Sequence, residues 1–145
     1  MEIQWDEILV QQWLQEHKTP EALTLERLVK LIDVHFTEHK PSVFYAEQLN
    51  LTTEVLNKLT RFYLGKTVYQ LLQERLLLVS KHLLCNTLMS VKDITYQLGF
   101  EDPGYFCRWF KRMTGMKAKE WRKGDVIATI LILLLNIVLT GDVIY

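Results

Sequence analysis

The sequence predicts an all-α protein in which two helix-turn-helix units are joined by a long linker helix. Three observations support this fold class. Apolar residues recur at intervals of three and four through residues 20–123, which is helical spacing. Helix caps and helix-ending residues fall between these apolar stretches. A pattern of short helix, tight turn and longer helix occurs twice, about 49 positions apart.

The first segment, residues 1–19, is predicted to hold a short amphipathic helix. Its apolar residues share one helical face: Trp5, Ile8, Leu9 and Trp13. The next helix should begin after Thr19, with Pro20 in its first turn. The apolar face of that helix is predicted to comprise Leu25, Leu28, Val29, Ile32 and Phe36. It should end before Pro41, because the residue that precedes a proline disfavours helical backbone.

The first helix-turn-helix is predicted over residues 43–64. A short helix at 43–49 leads through a tight turn at Asn50 to a longer helix at 53–64, capped by Thr52 and ended by Gly65. The apolar residues expected in its core are Val55, Leu56, Leu59 and Phe62. The residues expected on its outward face are Thr53, Glu54, Asn57, Lys58 and Arg61.

A long helix at 67–84 is predicted to link this unit to a second helix-turn-helix at 91–115. Ser90 and Asp93 fit a capping box, and Asp102 with Pro103 fits the start of a helix that Gly115 ends. The residues expected in the core of this last helix are Phe106, Trp109, Phe110 and Met113. Those expected to face outward are Gly104, Tyr105, Arg108, Lys111 and Arg112.

A short helix at 118–123 should complete the domain, which we place at residues 20–123. The remaining residues, 124–145, form a hydrophobic tail in which Thr129 and Asn136 interrupt fourteen residues of otherwise apolar sequence. Three explanations stay open for this tail. The first is a membrane anchor beside a basic flank. The second is a surface that packs on the N-terminal segment or on a second chain. The third is sequence outside the natural reading frame.

The charge distribution indicates an anionic partner for the second half of the domain. Lys and Arg number 17, as do Asp and Glu, yet residues 53–123 hold thirteen basic and six acidic groups. Residues 108–123 hold seven basic groups and one acidic group. Two cysteines, Cys85 and Cys107, are too few for a disulfide framework, so we expect buried or half-buried thiols in a reducing compartment.

The sequence contains no pattern that predicts an enzyme. His35 and His39 match a bare H-x-x-E-H pattern. A catalytic zinc also needs a third protein ligand, and the segment is typical of an ordinary helix end before Pro41. No nucleophile with a neighbouring base and no glycine-rich phosphate loop is present. We therefore predict no catalytic residue, no metal and no cofactor.

The stretch ITYQLGFEDPGYFCRWFKR (residues 94–112), followed by Thr114-Gly115-Met116 and Glu120-Trp121-Arg122, resembles the second helix-turn-helix of AraC/XylS-family transcription regulators. The stretch FYAEQLNLT (residues 44–52) resembles the first. Arg75 and the pair Leu83-Leu84 also match, so the resemblance covers about residues 24–123. The sequence departs from the family pattern where Thr60 replaces an apolar residue, Ala118 a proline and Cys107 a serine.

The resemblance implies a seven-helix, two-lobed domain that binds double-stranded DNA in two adjacent major grooves. It places Glu54, Asn57 and Lys58 at base-reading positions, and Arg61 fits a phosphate contact. Arg108 is the best candidate for reading guanine, while Lys111 and Arg112 fit phosphate contacts. Such a regulator is expected in the cytoplasm with the nucleoid, with RNA polymerase and a second copy of the chain as further partners. The alternatives are a helical protein-interaction module that has lost useful DNA affinity, and a regulator tethered to a membrane.

Overall fold

A computed structural model of the chain describes Leu9, Gln12, Glu16 and residues 19–140, without the side chains of residues 125, 126, 129 and 140. All regular elements within residues 19–140 are helical, which confirms the predicted fold class. They are α1 (Pro20–His35), α2 (Ser42–Gln48), α3 (Thr53–Leu64), α4 (Val68–Asn86), α5 (Val91–Gln97), α6 (Pro103–Thr114) and α7 (Ala118–Thr140), with a 3-10 turn at Phe36–Glu38. Of the predicted N-terminal helix, Leu9 is helical and exposed. Trp5, Ile8 and Trp13 lie outside the described residues.

The chain divides into two compact units, Met1–Arg75 and Leu76–Tyr145, and α4 contributes to both. Each unit contains a helix of seven residues followed by a helix of twelve. These are α2 and α3 in the first unit and α5 and α6 in the second. The two predicted helix-turn-helix pairs are therefore present, with matching lengths.

The turn between the helices of each pair has the same backbone geometry. Asn50 in the first turn and Gly99 in the second both have positive φ, 57° and 79°. Asparagine and glycine are the residues that tolerate this left-handed conformation best. The longer helix of each pair then starts at a side-chain cap, where Thr52 accepts a hydrogen bond from the amide of Val55 and Asp102 accepts from that of Tyr105.

The core of the first unit draws on all four of its helices. It consists of Leu28, Ile32, Tyr45, Ala46, Leu56, Val68 and Leu72. Val29 was predicted on the buried face of α1, but it is 39% exposed. The buried residues of α1 are Ala22, Leu25, Leu28 and Ile32, and Val29 lies near one edge of the face that they form.

The second unit is built around aromatic residues of α6. Its most buried apolar side chains are Leu84, Ile94, Leu98, Phe106 and Phe110. Arg122 in α7 donates hydrogen bonds to the backbone carbonyls of Leu84 (2.8 Å) and Met89 (2.5 Å), and so ties the start of α7 to the end of α4. Met113 was predicted in this core and is instead 37% exposed, because it continues the stripe of Phe106 and Phe110 into the last turn of α6, beyond the buried aromatic residues.

The last helix is much longer than predicted. The short helix at 118–123 continues to Thr140, so most of the predicted tail is an extension of α7. Gly124 costs a helix about 1 kcal/mol relative to alanine, which does not stop it when no proline follows. The apolar side chains that the structure describes in this extension are exposed on every side, including Ile127, Ile130, Leu131, Leu134 and Val138. In the described part of the chain no helix is both long and apolar enough to span a bilayer.

Candidate nucleic-acid interface

The predicted outward residues of α6 lie together on one exposed face. Phe106, Trp109 and Phe110 are buried and fix which side of the helix faces the core. The opposite side includes all five predicted residues, each of them exposed: Gly104, Tyr105, Arg108, Lys111 and Arg112. Three cations and one tyrosine on a single helical face form a surface that suits duplex DNA, where the base edges of a groove lie between two phosphate backbones.

The first turn of α6 is held by a charged cap. The carboxylate of Asp102 accepts hydrogen bonds from the backbone amides of Gly104 (3.3 Å) and Tyr105 (3.1 Å). Nη2 of Arg108 lies 3.9 Å from Oδ2 of the same carboxylate, and both side chains are largely exposed. The guanidinium of Arg108 is therefore placed beside the N-terminal turn of α6, the end of a recognition helix that reaches base edges.

The outward face of α3 brings together three of its five predicted residues. Glu54, Lys58 and Arg61 are exposed, whereas Thr53 is half-buried. Nζ of Lys58 lies 3.8 Å from a carboxylate oxygen of Glu54, an ion pair across one helical turn. These three side chains can reach a ligand in front of the helix.

Asn57 is placed differently from the prediction. It is half-buried, and its Oδ1 accepts a hydrogen bond of 3.0 Å from the backbone amide of Val68, the first residue of α4. Asparagine pairs with adenine through both its oxygen and its nitrogen. The oxygen of Asn57 already accepts a hydrogen bond within the protein, so this side chain contributes first to the stability of the fold and only second to base recognition.

Two outward residues of α3 were missed because they are apolar. Val55 and Phe62 were predicted in the core, but they are 48% and 81% exposed. Each occupies the position, fifty residues earlier, of an exposed residue of α6: Val55 corresponds to Tyr105, and Phe62 to Arg112. The internal repeat carries the signal for both, since Tyr105 and Arg112 are predicted outward and nine of the twelve equivalent positions of the two helices share their exposure.

Beside this face lies an open groove of about 530 Å³ between the first turn of α1 and the side of α3. Most of its lining is apolar. The lining residues are Pro20, Glu21, Thr24, Leu51, Val55, Lys58, Leu59, Phe62 and Tyr63. Phe62 contacts the ring of Tyr63 edge to face, at a centroid distance of 4.9 Å.

The histidine pair of the H-x-x-E-H pattern is not on one continuous helix. Helix α1 ends at His35, and His39 has left-handed backbone (φ 54°), so the one-turn spacing that lets two histidines share a metal is lost. Nδ1 of His35 instead contacts a carboxylate oxygen of Glu38. Among the described residues no three His, Cys, Asp or Glu side chains are grouped to hold a metal. Cys85 is half-buried, but Cys107 is exposed on α6, contrary to expectation.

Comparison with known proteins supports the helix-turn-helix geometry. A family model described as a helix-turn-helix domain matches residues 45–124. The HTH-type transcriptional activator RhaS of Escherichia coli O139:H28 is 30% identical over 111 residues, which cover 77% of this chain and 40% of RhaS. The chain thus spans about two fifths of the length of such relatives.

Solved structures share the fold. The C-terminal domain of the two-component response regulator yesN from Fusobacterium nucleatum is 26% identical, with a TM-score of 0.62 over 67% of this chain and 95% of that one. The C-terminal domain of AraT, a response regulator from Geobacillus stearothermophilus, has a TM-score of 0.65 at 23% identity, over 73% of this chain and 86% of that one. The DNA-binding domain of AdpA, solved in complex with a target DNA, has a TM-score of 0.62 at 20% identity, over 70% of this chain and 90% of that one.

Proposed function

This chain belongs to the AraC/XylS family of helix-turn-helix proteins, and on that basis we propose that it is a sequence-specific, DNA-binding regulator of transcription. One observation carries the proposal. The outward face of α6 presents Arg108, Lys111 and Arg112 together, above a buried aromatic row that holds the helix rigid. A rigid cationic helix face is what insertion into the major groove of an anionic duplex requires.

The proposed mechanism separates contacts that position the protein from contacts that read sequence. Arg61, Lys111 and Arg112 bind phosphate oxygens, and these contacts carry no sequence information. Arg108 reads guanine through its planar guanidinium group. Lys58 and Glu54 read bases in a second segment of the major groove. The helices α3 and α6 enter successive segments of the major groove, and bending of the duplex brings both into register.

The proposal is tested by selecting bound sequences from a random pool of duplex DNA. The full chain should enrich a defined sequence, and its Kd for that sequence should be lower than for a scrambled duplex by about 10³-fold or more at physiological salt. Repeating the measurement at two salt concentrations separates the phosphate contribution from the base contribution. Equal Kd values for enriched and scrambled DNA would overturn the proposal.

Further features of such a regulator are part of the same proposal. The protein has no enzymatic activity, is located with the nucleoid in the cytoplasm, and contacts RNA polymerase when it is bound beside a promoter.

The exposed apolar residues of α7, such as Leu131 and Leu134, favour a second copy of the chain as a partner. Sedimentation of the full chain and of a variant that ends at residue 124 tests this, because only the full chain should dimerise. Fractionation of cells that carry the same two variants tests for membrane contact.

A protein-interaction module is the second candidate function. The observation in its favour is the apolar groove beside α3, where the ring of Phe62 is largely exposed at the edge. A gel shift with random genomic fragments at two salt concentrations discriminates between the two functions. DNA affinity that falls steeply with salt supports the regulator, and no shift at either concentration supports the interaction module.

A further inference from the structure

The second residue of α6 is a glycine, and its missing side chain leaves space that two charged groups fill. A Cβ atom at Gly104 would lie 3.2 Å from Oδ2 of Asp102 and 3.3 Å from Nη1 of Arg108. Both distances are shorter than an ordinary van der Waals contact, so a side chain at this position would shift the carboxylate or the guanidinium by a few tenths of an ångström. Helical side chains lean toward the N-terminus and cover the preceding turn, which brings Arg108 over the backbone of Gly104.

The carboxylate beside Arg108 is fixed in place. Its two oxygens accept hydrogen bonds from the amides of Gly104 and Tyr105, one to each oxygen. A side chain held at both oxygens cannot swing away without uncapping the helix. Asp102 is therefore a stationary negative charge against which the longer and more mobile Arg108 settles.

The longer helix of the first pair achieves the same charge arrangement with different residues. Lys58, at the position equivalent to Arg108, lies 3.8 Å from the carboxylate of Glu54. Glu54 occupies the position equivalent to Gly104, and the cap of α3 is Thr52, which is uncharged. Each helix thus sets one carboxylate next to the cation one turn from its start. The carboxylate is the second residue in α3 and the cap in α6.

We infer that Asp102 is a positioning residue that directs Arg108 toward a base, and that the missing side chain at Gly104 leaves room for this arrangement; the inference rests on the proposed DNA binding. Arginine carries five donors in a planar fork, so one edge can face a carboxylate while another addresses guanine O6 and N7. A fixed negative charge also weakens binding to phosphates in general. Asp102 therefore raises the preference for the cognate base and lowers affinity for any other duplex.

The test is Asp102→Asn in the full chain, on the sequence enriched from a random pool and on a scrambled duplex. Asparagine is as good a helix cap as aspartate and keeps one of the two acceptor oxygens, so the helix start is retained while the charge and one of the two cap hydrogen bonds are lost. We expect discrimination at one base pair to fall by about fivefold or more, the lower range of what a bidentate arginine contact supplies. Affinity for the scrambled duplex should rise. Glu101→Gln removes an exposed negative charge one residue earlier and should leave the base preference unchanged.

A second variant separates positioning from stability. Gly104→Ala improves the helix propensity of α6, so the melting temperature of the variant protein should stay the same or rise. Its discrimination between base pairs should fall. In an Arg108→Ala background, Asp102→Asn should cause no further loss of discrimination, because the residue it positions is absent.

Equal effects of Asp102→Asn and Glu101→Gln on base preference, or an equal loss with and without Arg108, would overturn the inference while leaving the proposed function intact. A wild-type chain that shows no preference for any sequence would overturn the proposed function itself, and the inference with it.

Discussion

Removal of a single cation from the outward face of α6 should flatten the salt dependence of DNA binding. Lys111 is exposed on the same face as Arg108 and Arg112 and is proposed to contact phosphate. Each phosphate contact releases condensed counterions and contributes about 0.9 to the slope of log K against log salt. Lys111→Ala should therefore reduce that slope by about 0.9. Across the fourfold range from about 50 to 200 mM salt, the affinity of the variant should fall about 3.5-fold less than that of the wild type.

Fluorescence anisotropy with a labelled duplex measures this slope directly. The loss should be the same on the enriched and the scrambled sequence, because a phosphate contact carries no sequence information. Lys30→Ala is the matched control. It removes an exposed lysine of α1 that pairs with Glu26 at 3.2 Å, and it should leave the slope unchanged. An unaltered slope for Lys111→Ala, or a loss confined to the enriched sequence, would refute the assignment of Lys111 to phosphate.

Three further predictions test other parts of the structure. Arg108→Ala should weaken binding to the enriched sequence by about 1–3 kcal/mol and relax the preference at one base pair, as measured by competition with single-base variants; an equal loss on scrambled DNA would contradict base reading. Asn57→Ala should lower the free energy of unfolding, measured in urea, by about 1–3 kcal/mol, since the buried amide of Val68 loses its acceptor. Asn57→Asp keeps an acceptor oxygen and should retain most of the wild-type free energy of unfolding. Burial, with a smaller contribution from Glu38, raises the pKa of Tyr45 to about 12. The unfolded chain then releases this proton first, so stability should fall by roughly 2–3 kcal/mol between about pH 10 and 12, and Tyr45→Phe should remove that fall.

The helix boundaries of the two pairs were predictable because local chemistry sets them. Helix α3 begins after Thr52 and ends before Gly65, as the sequence predicts. A side-chain cap satisfies amides within three residues, and a left-handed glycine ends a helix without help from the rest of the protein. The cap at Ser90, whose hydroxyl accepts a hydrogen bond from the amide of Asp93, and the cap at Asp102 are confirmed for the same reason.

Burial was harder to predict, because it depends on what packs against a helix. The apolar residues of α3 spread over more than half of its circumference, and only those that meet α1, α2 and α4 are buried. Leu56 is fully buried, whereas Phe62 is exposed. Thr60, which stands where the family pattern has an apolar residue, is fully buried with its hydroxyl donating to the carbonyl of Asn57. The contact between Asn57 and Val68 joins residues eleven apart, and no periodic pattern reports it.

The outward faces of α3 and α6 differ in a way that assigns them different parts of DNA recognition. At the positions where α6 has Tyr105 and Arg112, α3 has Val55 and Phe62. Phosphate attraction grows with the number of cations, so α6 supplies the larger part of the salt-dependent, sequence-independent affinity. The apolar pair of α3 adds none of it, but an apolar side chain in the major groove can contact the methyl group of thymine. In the proposed function α6 supplies most of the phosphate attraction beside the base contact of Arg108, and the apolar pair of α3 adds further selectivity. The chain has zero net charge, yet seven of its cations lie in residues 108–123.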